Sequence, residues 1–318
     1  MGNLITAYCA GRKNGNTEVY IKEALMAAKE MGCDVELIRL CECDLQVCRC
    51  CKRQVCGIKG KDACPIGGDD TWWLVEKFLD SDGYLIGAPV WSLGPPGNVT
   101  VFRDRIMGPK MDRSAYDLFG EPSFIKGRNY SRPGALISVG GAGTEHWTAL
   151  GLPTLYTTVF SAKTDVIDHM NVTGVADIGS ATFYEHYLDR ARQLGKNLAH
   201  AVLHHEEPHR WMGKPDEGLC PGCHLNYMIM VPNSNEIICQ ICGIHGTMKI
   251  ENGKFAGIDW VENDPDDRLT MEGSITHGKE VMGIIKNEYM PRKDEVPALM
   301  KKYDDLNHIV VTPPSKQK

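Results

Sequence analysis

Apolar and polar positions alternate in blocks along the first two hundred residues. The run NLITAY has strand length and is followed by AGRKNGN and a helical pattern over 17–31. DVELIRL reads as a second strand. A cysteine-rich segment then interrupts the rhythm before a helix near 71–79. GYLIGAPV is a third strand, with VTVFRDRIM as the helix after its loop. PGALISVGG is a fourth, followed by a helix near 146–160. KTDVIDHMNV is a fifth, and YEHYLDRARQLGKNLAHAVLHH is a long amphipathic helix. Strands alternating with helices predict an α/β domain: a doubly wound, parallel five-stranded sheet with helices on both faces. Ligands of such sheets bind at the carboxyl ends of the strands.

The rhythm stops after residue 207. PHRWMGKPDEG is a linker, and residues 218–260 form a compact unit containing Cys220-x2-Cys223 and Cys239-x2-Cys242. Within it, LNYMIM and NEIIC predict a hairpin with PNSN as the turn. Residues 261–318 form a helical extension, with helical patterns around 279–289 and 296–306 and a polar tail, TPPSKQK. The organisation expected is therefore a domain over 1–207 with an inserted cysteine loop at 41–70, a small β module at 218–260, and the extension.

Composition narrows the chemistry. The formal net charge of −6 lacks the basic surplus of a nucleic-acid binder. No apolar run reaches the roughly 18–20 residues that span a bilayer, and the N-terminus lacks a signal-peptide pattern. A cytoplasmic protein with no membrane partner is expected. In that reducing compartment thirteen cysteines favour metal or cluster ligation over disulfides.

Three loops that follow strands are suited to approach a ligand. The first, Gly11-Arg12-Lys13-Asn14-Gly15-Asn16-Thr17, leaves a strand and enters a helix. Its helix N-terminus offers unpaired N–H groups to an anion. It matches neither the P-loop nor the GxGxxG pattern, which disfavours ATP and a dinucleotide. The second, APVWSLGPPGNVTVFRDRI, is stiffened by prolines and offers Trp91 as an aromatic face. The third, VGGAGTEHW, leaves backbone amides open at its glycines.

Together these loops resemble those of the NAD(P)H-dependent FMN reductase and iron–sulfur flavoprotein family, a branch of the flavodoxin-like fold, over roughly residues 1–205. The resemblance implies FMN. Gly11, Arg12, Asn14, Asn16 and Thr17 would hold its phosphate. Pro89, Val90, Trp91, Ser92, Leu93 and Gly94 would line the isoalloxazine, and Gly140, Gly141 and Gly143 would close the other side. His146 and His169 are candidate proton donors near the flavin edge. The family also implies a homo-oligomer, a dimer or tetramer.

In the iron–sulfur branch a compact cysteine motif follows the second strand. Here Cys48, Cys51, Cys56 and Cys64 could take those parts, with Cys50 an alternative ligand and Asp69-Asp70 downstream. A [4Fe–4S] cluster competes with a zinc site and with free or redox-active thiols. Arg49, Lys52, Arg53, Lys59 and Lys61 would offset a cluster's charge, while Gly57, Gly60, Gly67 and Gly68 would help the chain wrap it. In the C-terminal unit Cys220, Cys223, Cys239 and Cys242 resemble a zinc ribbon or rubredoxin, and four thiolates suit Zn or a mononuclear Fe equally.

The function expected is an FMN-dependent oxidoreductase. It would pass electrons from NAD(P)H or ferredoxin, through flavin and cluster, to a small-molecule or protein acceptor. Two alternatives stand beside it: a reductase specific for an aromatic or unsaturated metabolite, and a non-catalytic redox-sensing, metal-binding protein.

Overall fold

The chain is described by a computed structural model over residues 2–51, 56, 64–215, 218–311 and 313. Lys52, Arg53, Gly57, Lys59, Gly60 and Lys61, and all of the TPPSKQK tail but one proline, lie outside the described residues.

Five strands form one parallel sheet: β1 (Leu4–Cys9), β2 (Asp34–Arg39), β3 (Gly83–Pro89), β4 (Pro133–Val139) and β5 (Asp165–Val172). Their order, β2-β1-β3-β4-β5, is the flavodoxin-like order, and every pairing in it is parallel. Alternate side chains enter two cores because strand side chains alternate between faces. Ile5, Ala7 and Cys9 of β1 and Ala135, Ile137 and Val139 of β4 pack under α1 (Asn16–Glu30) and α6 (Glu185–Leu203). Tyr8, Ile86 and Leu136 pack on the other face under α2 (Thr71–Asp80), α3 (Gly97–Phe102) and α5 (Gly151–Val159).

Several elements depart from the sequence expectation. Between α3 and β4 lies a further short helix, α4 (Arg113–Phe119), capped by the Asp112 carboxylate on the Ala115 N–H. The helix expected at 146–160 begins at Gly151. Ahead of it, the Thr148 hydroxyl bonds back to the Glu145 carbonyl at 2.9 Å and closes a separate turn at Glu145–Trp147. The helix after the third strand passes from α3 into a wider π turn, Arg103–Met107.

The C-terminal module is an antiparallel sheet of four strands, two more than expected: β6 (Met228–Met230), β7 (Glu236–Cys239), β8 (His245–Glu251) and β9 (Lys254–Trp260). Asn252 and Gly253 join the last two with φ of +51° and +73°, the left-handed pair that a tight hairpin turn demands. The module does not stand apart. Its four cysteines share a core with Leu155, Tyr156 and Val159 of α5. Two helices follow, α7 (Met271–Ile284), capped by the Thr270 hydroxyl on the Gly273 N–H, and α8 (Val296–Asp304). Met282, Tyr289, Leu299 and Tyr303 on this extension stay exposed. Among the described residues no helix is long and apolar enough to cross a membrane.

Candidate functional site

A cavity of about 410 Å³ opens at the carboxyl ends of the strands, within the usual range for a small-molecule site. Gly11, Arg12, Asn16 and Thr17 line it after β1, and Pro89, Val90 and Trp91 after β3. Gly141 lines it after β4. The sequence-predicted loops thus converge on one space. Of the predicted residues, Asn14, Ser92, Leu93, Gly94, Gly140 and Gly143 are not among its lining.

All of these but Gly143 shape the loops. Asn14, Ser92 and Leu93 have φ of +56°, +46° and +74°. Ser92 and Leu93 form the two central positions of a tight turn closed by mutual bonds between Trp91 and Gly94, 2.7 and 3.1 Å. The turn leaves Trp91 60% exposed at the cavity. A Cβ on Gly140 would lie 2.2 Å from Thr148 Cγ2, so glycine there lets two loops touch.

One end of the cavity is the N-terminus of α1. Gly15 is its cap and has no side chain to offer a capping hydrogen bond. The first intrahelical bond runs from the Val19 N–H to the Gly15 carbonyl. First-turn amides and the helix dipole therefore face the cavity, an arrangement suited to a phosphate. The Asn16 side chain does something the sequence did not indicate. Its amide donates to the Asp177 carbonyl at 2.7 Å and accepts from the Gly179 and Ala181 N–H groups at 3.0 and 3.2 Å. It clamps the loop after β5 to the start of α1.

That fourth loop was missed by sequence reasoning, although Val175, Ala176 and Ile178 line the cavity. Its position beside β4 in the sheet order was the signal. Cys41 and Asn98 also line the space. Asn98 donates to the Ala10 carbonyl at 3.2 Å, and its Oδ1 is buried with no partner among the described residues. Together the site offers open amides for an anion, apolar and aromatic walls for a ring, and a buried acceptor for a ring N–H. This donor set fits FMN. Among the described residues no carboxylate lines the cavity.

The two histidines lie elsewhere. His146 is exposed on the turn at Glu145–Trp147. His169 is buried on β5 against the linker's Trp211, ring centroids 4.8 Å apart, and burial pushes its pKa down to about 3. Burial thus disfavours the imidazolium form that a strong proton donor needs. Trp211 stacks in turn on His224 of the module at 3.9 Å.

The two cysteine sets differ in geometry. Cys220, Cys223, Cys239 and Cys242 are buried, and their sulfurs all lie within 4.8 Å of one another. Four thiolates about 2.3 Å from one ion stand about 3.8 Å apart, so this set matches a single tetrahedral metal. Cys48, Cys50, Cys51, Cys56 and Cys64 instead ring a cavity of about 520 Å³, and no three of them come that close. A single ion draws its sulfurs together, whereas a cluster places one thiolate on each of several irons and needs space between them. The upstream set suits a cluster.

The ends of this cysteine segment are tied by the acidic pair downstream of it. Asp70 accepts from the Asp44 N–H at 2.7 Å, and Asp69 accepts from the Gln46 N–H at 3.2 Å. Arg105, 2% exposed, reaches from the π turn to Asp69 at 2.8 Å and to the Gln46 carbonyl at 2.5 Å. The sequence offered nearby basic residues as the charge around these thiols. The structure brings in Arg103, Arg105 and Lys110 from a distant segment.

A flavodoxin-like sheet with this cavity at its strand ends is the kind of site that receives FMN in this fold, and the similarities that follow are to FMN-dependent oxidoreductases. Residues 4–150 match the family described as NADPH-dependent FMN reductase. The chain is 28% identical to a flavone synthase of Aspergillus candidus over 249 residues, 76% of each chain. It is 27% identical to an iron–sulfur flavoprotein of Methanocaldococcus jannaschii over 197 residues, 60% of this chain and 92% of that one. A solved structure named flavone reductase shares the fold, with a TM-score of 0.77 and 24% identity over 98% of this chain and 99% of that one.

Proposed function

We propose that the cavity at the strand ends holds FMN and that the chain moves electrons from NAD(P)H or ferredoxin to a small, flat, unsaturated acceptor. The observation that carries this reading is the uncapped α1 N-terminus opening into the same cavity as Trp91. Bound FMN supplies the exchange between hydride and single-electron transfer. In this reading Gly11, Arg12 and Thr17 join the first-turn amides of α1 around the phosphate. Pro89, Val90 and Trp91 border the ring on one side and Gly141 on the other. Asn98 Oδ1 accepts a ring N–H. With no carboxylate in the lining, nothing opposes added negative charge there.

Cys48, Cys51, Cys56 and Cys64, with Cys50 as the alternative, hold a [4Fe–4S] cluster in this account. Cys220, Cys223, Cys239 and Cys242 hold Zn or a single Fe. Support for a metabolite as acceptor comes from the Aspergillus relative, named for flavone synthesis and aligned over three quarters of this chain. In a flavone couple the oxidised partner carries the C=C bond conjugated to the aromatic ketone; a synthase forms that bond, and the same couple run toward reduction has it gain two electrons and two protons as the donor loses two electrons.

Anaerobic turnover of the FMN-loaded protein checks this reading, with NADH, NADPH or reduced ferredoxin as donor and flavone or benzoquinone as acceptor. Donor oxidation that depends on flavone, with loss of its conjugated absorbance, is expected. Turnover with benzoquinone alone would point to a general quinone reductase. Failure of every donor with both acceptors would contradict the reading.

A further inference from the structure

Lys110 is 1% exposed. Its ammonium donates to the Arg105 carbonyl at 2.5 Å and stands 5.4 Å from the Trp72 ring. Among the described residues no carboxylate pairs with it, and Asp69 is already engaged by Arg105. A buried ammonium costs several kcal/mol unless an anion compensates it. The cavity that Lys110 lines holds five cysteines.

The placement is built into the backbone. The π turn Arg103–Met107 ends with the Gly108 N–H on the Arg103 carbonyl at 2.7 Å, and the Lys110 N–H follows on Ile106 at 3.2 Å. The Tyr116 hydroxyl donates to the Lys110 carbonyl. Single-turn π segments are frequent at functional sites because they re-aim side chains that a regular helix would point elsewhere. Here the turn aims Arg105 at Asp69 and the Gln46 carbonyl at the ends of the cysteine segment, and Lys110, three residues beyond it, lines the same cavity as the thiols.

We propose that Lys110 is the buried counter-charge of the cluster held by Cys48, Cys51, Cys56 and Cys64, and that it sets how readily that cluster takes up an electron. The inference rests on the cluster reading above. Reduction adds one negative charge to an anionic centre. A fixed cation in a poorly solvated cavity favours that charge far more than a surface lysine would. Lys110 is a positioning charge here and ligates nothing.

The test compares wild type, Lys110→Met and Lys110→Arg, each purified anaerobically at full length. Iron, sulfide and FMN are counted per chain, and the cluster is titrated with dithionite as the one-electron donor. Lys110→Met is expected to keep FMN and to bind the electron at least tenfold more weakly, a fall of about 59 mV or more. Lys110→Arg is expected to stay within threefold of wild type. Loss of iron in Lys110→Met, with FMN kept and iron restored in Lys110→Arg, would support the same role. A wild-type potential in Lys110→Met, or equal loss of iron from both variants, would overturn it. Wild-type protein that binds FMN but no iron at Cys48–Cys64 would overturn the cluster reading and this inference with it.

Discussion

At the scale of single residues, the start of α1 is held by charges that never touch the cavity. Glu18 is fully buried in the first turn, where its carboxylate meets Arg39 Nε and Lys22 Nζ, each at 2.6 Å. The Arg39 hydrogen bond is the main reason its pKa falls to about 2, from an ordinary 4.5. A lowered carboxylate pKa stabilises the fold above the unfolded value and loses that contribution as pH falls through the folded one. The window is therefore pH 4.5 down to 2, and the contribution at neutral pH is at most about 3 kcal/mol. Glu18→Gln should be less stable than wild type by urea unfolding at pH 7. The gap should close progressively between pH 4.5 and 2. A gap that stays constant through that window would show that the ion pairs contribute nothing through ionisation.

At the scale of elements, α1 is aimed by its contact with α6. A Cβ at Gly195 would stand 2.0 Å from the Ala24 carbonyl oxygen, so the two helices meet backbone to backbone. Helix propensity alone makes Gly195→Ala stabilising by about 1 kcal/mol. The clash reverses the sign, and a net loss of about 2 kcal/mol is expected, visible as a lower melting temperature. A higher melting temperature would mean that the helices are not in this contact.

Elements also show what could be read from the chain alone. The five strands were legible because buried parallel strands are short apolar runs separated by helical periodicity. The rest was hidden for identifiable reasons. α4 has seven residues, too few for a period to emerge. The β8–β9 hairpin mixes apolar and polar side chains along two largely exposed strands, although Asn252-Gly253 was a turn signal in plain view. At the site, three of the four cavity loops were legible from their glycines and prolines. Asn16 was recognised but its work was not, since clamping a loop some 160 residues away leaves no local trace. Arg105 and Lys110 were missed for the same reason, being distant in sequence from the thiols they accompany.

At the scale of the whole molecule, the two parts of the chain share material. The module's four cysteines sit in the core that covers one face of the sheet, and Trp211 and His224 bridge linker and module beside His169. The metal held there would then brace α5 as well as its own strands, because a four-thiolate site contributes folding energy to whatever packs on it. The α3 segment runs between the two cavities, with Asn98 lining the strand-end cavity and the π turn that follows reaching the cysteine cavity. The proposed function puts FMN in the strand-end cavity. Titrating flavin-free, full-length protein with FMN, and following flavin fluorescence, tests that assignment most directly, with Asn16→Ala alongside to loosen the clamp. The account predicts quenching that saturates at one FMN per chain, and binding about tenfold weaker in the variant. Fluorescence that stays at the value of free FMN through a large excess of folded protein would contradict it.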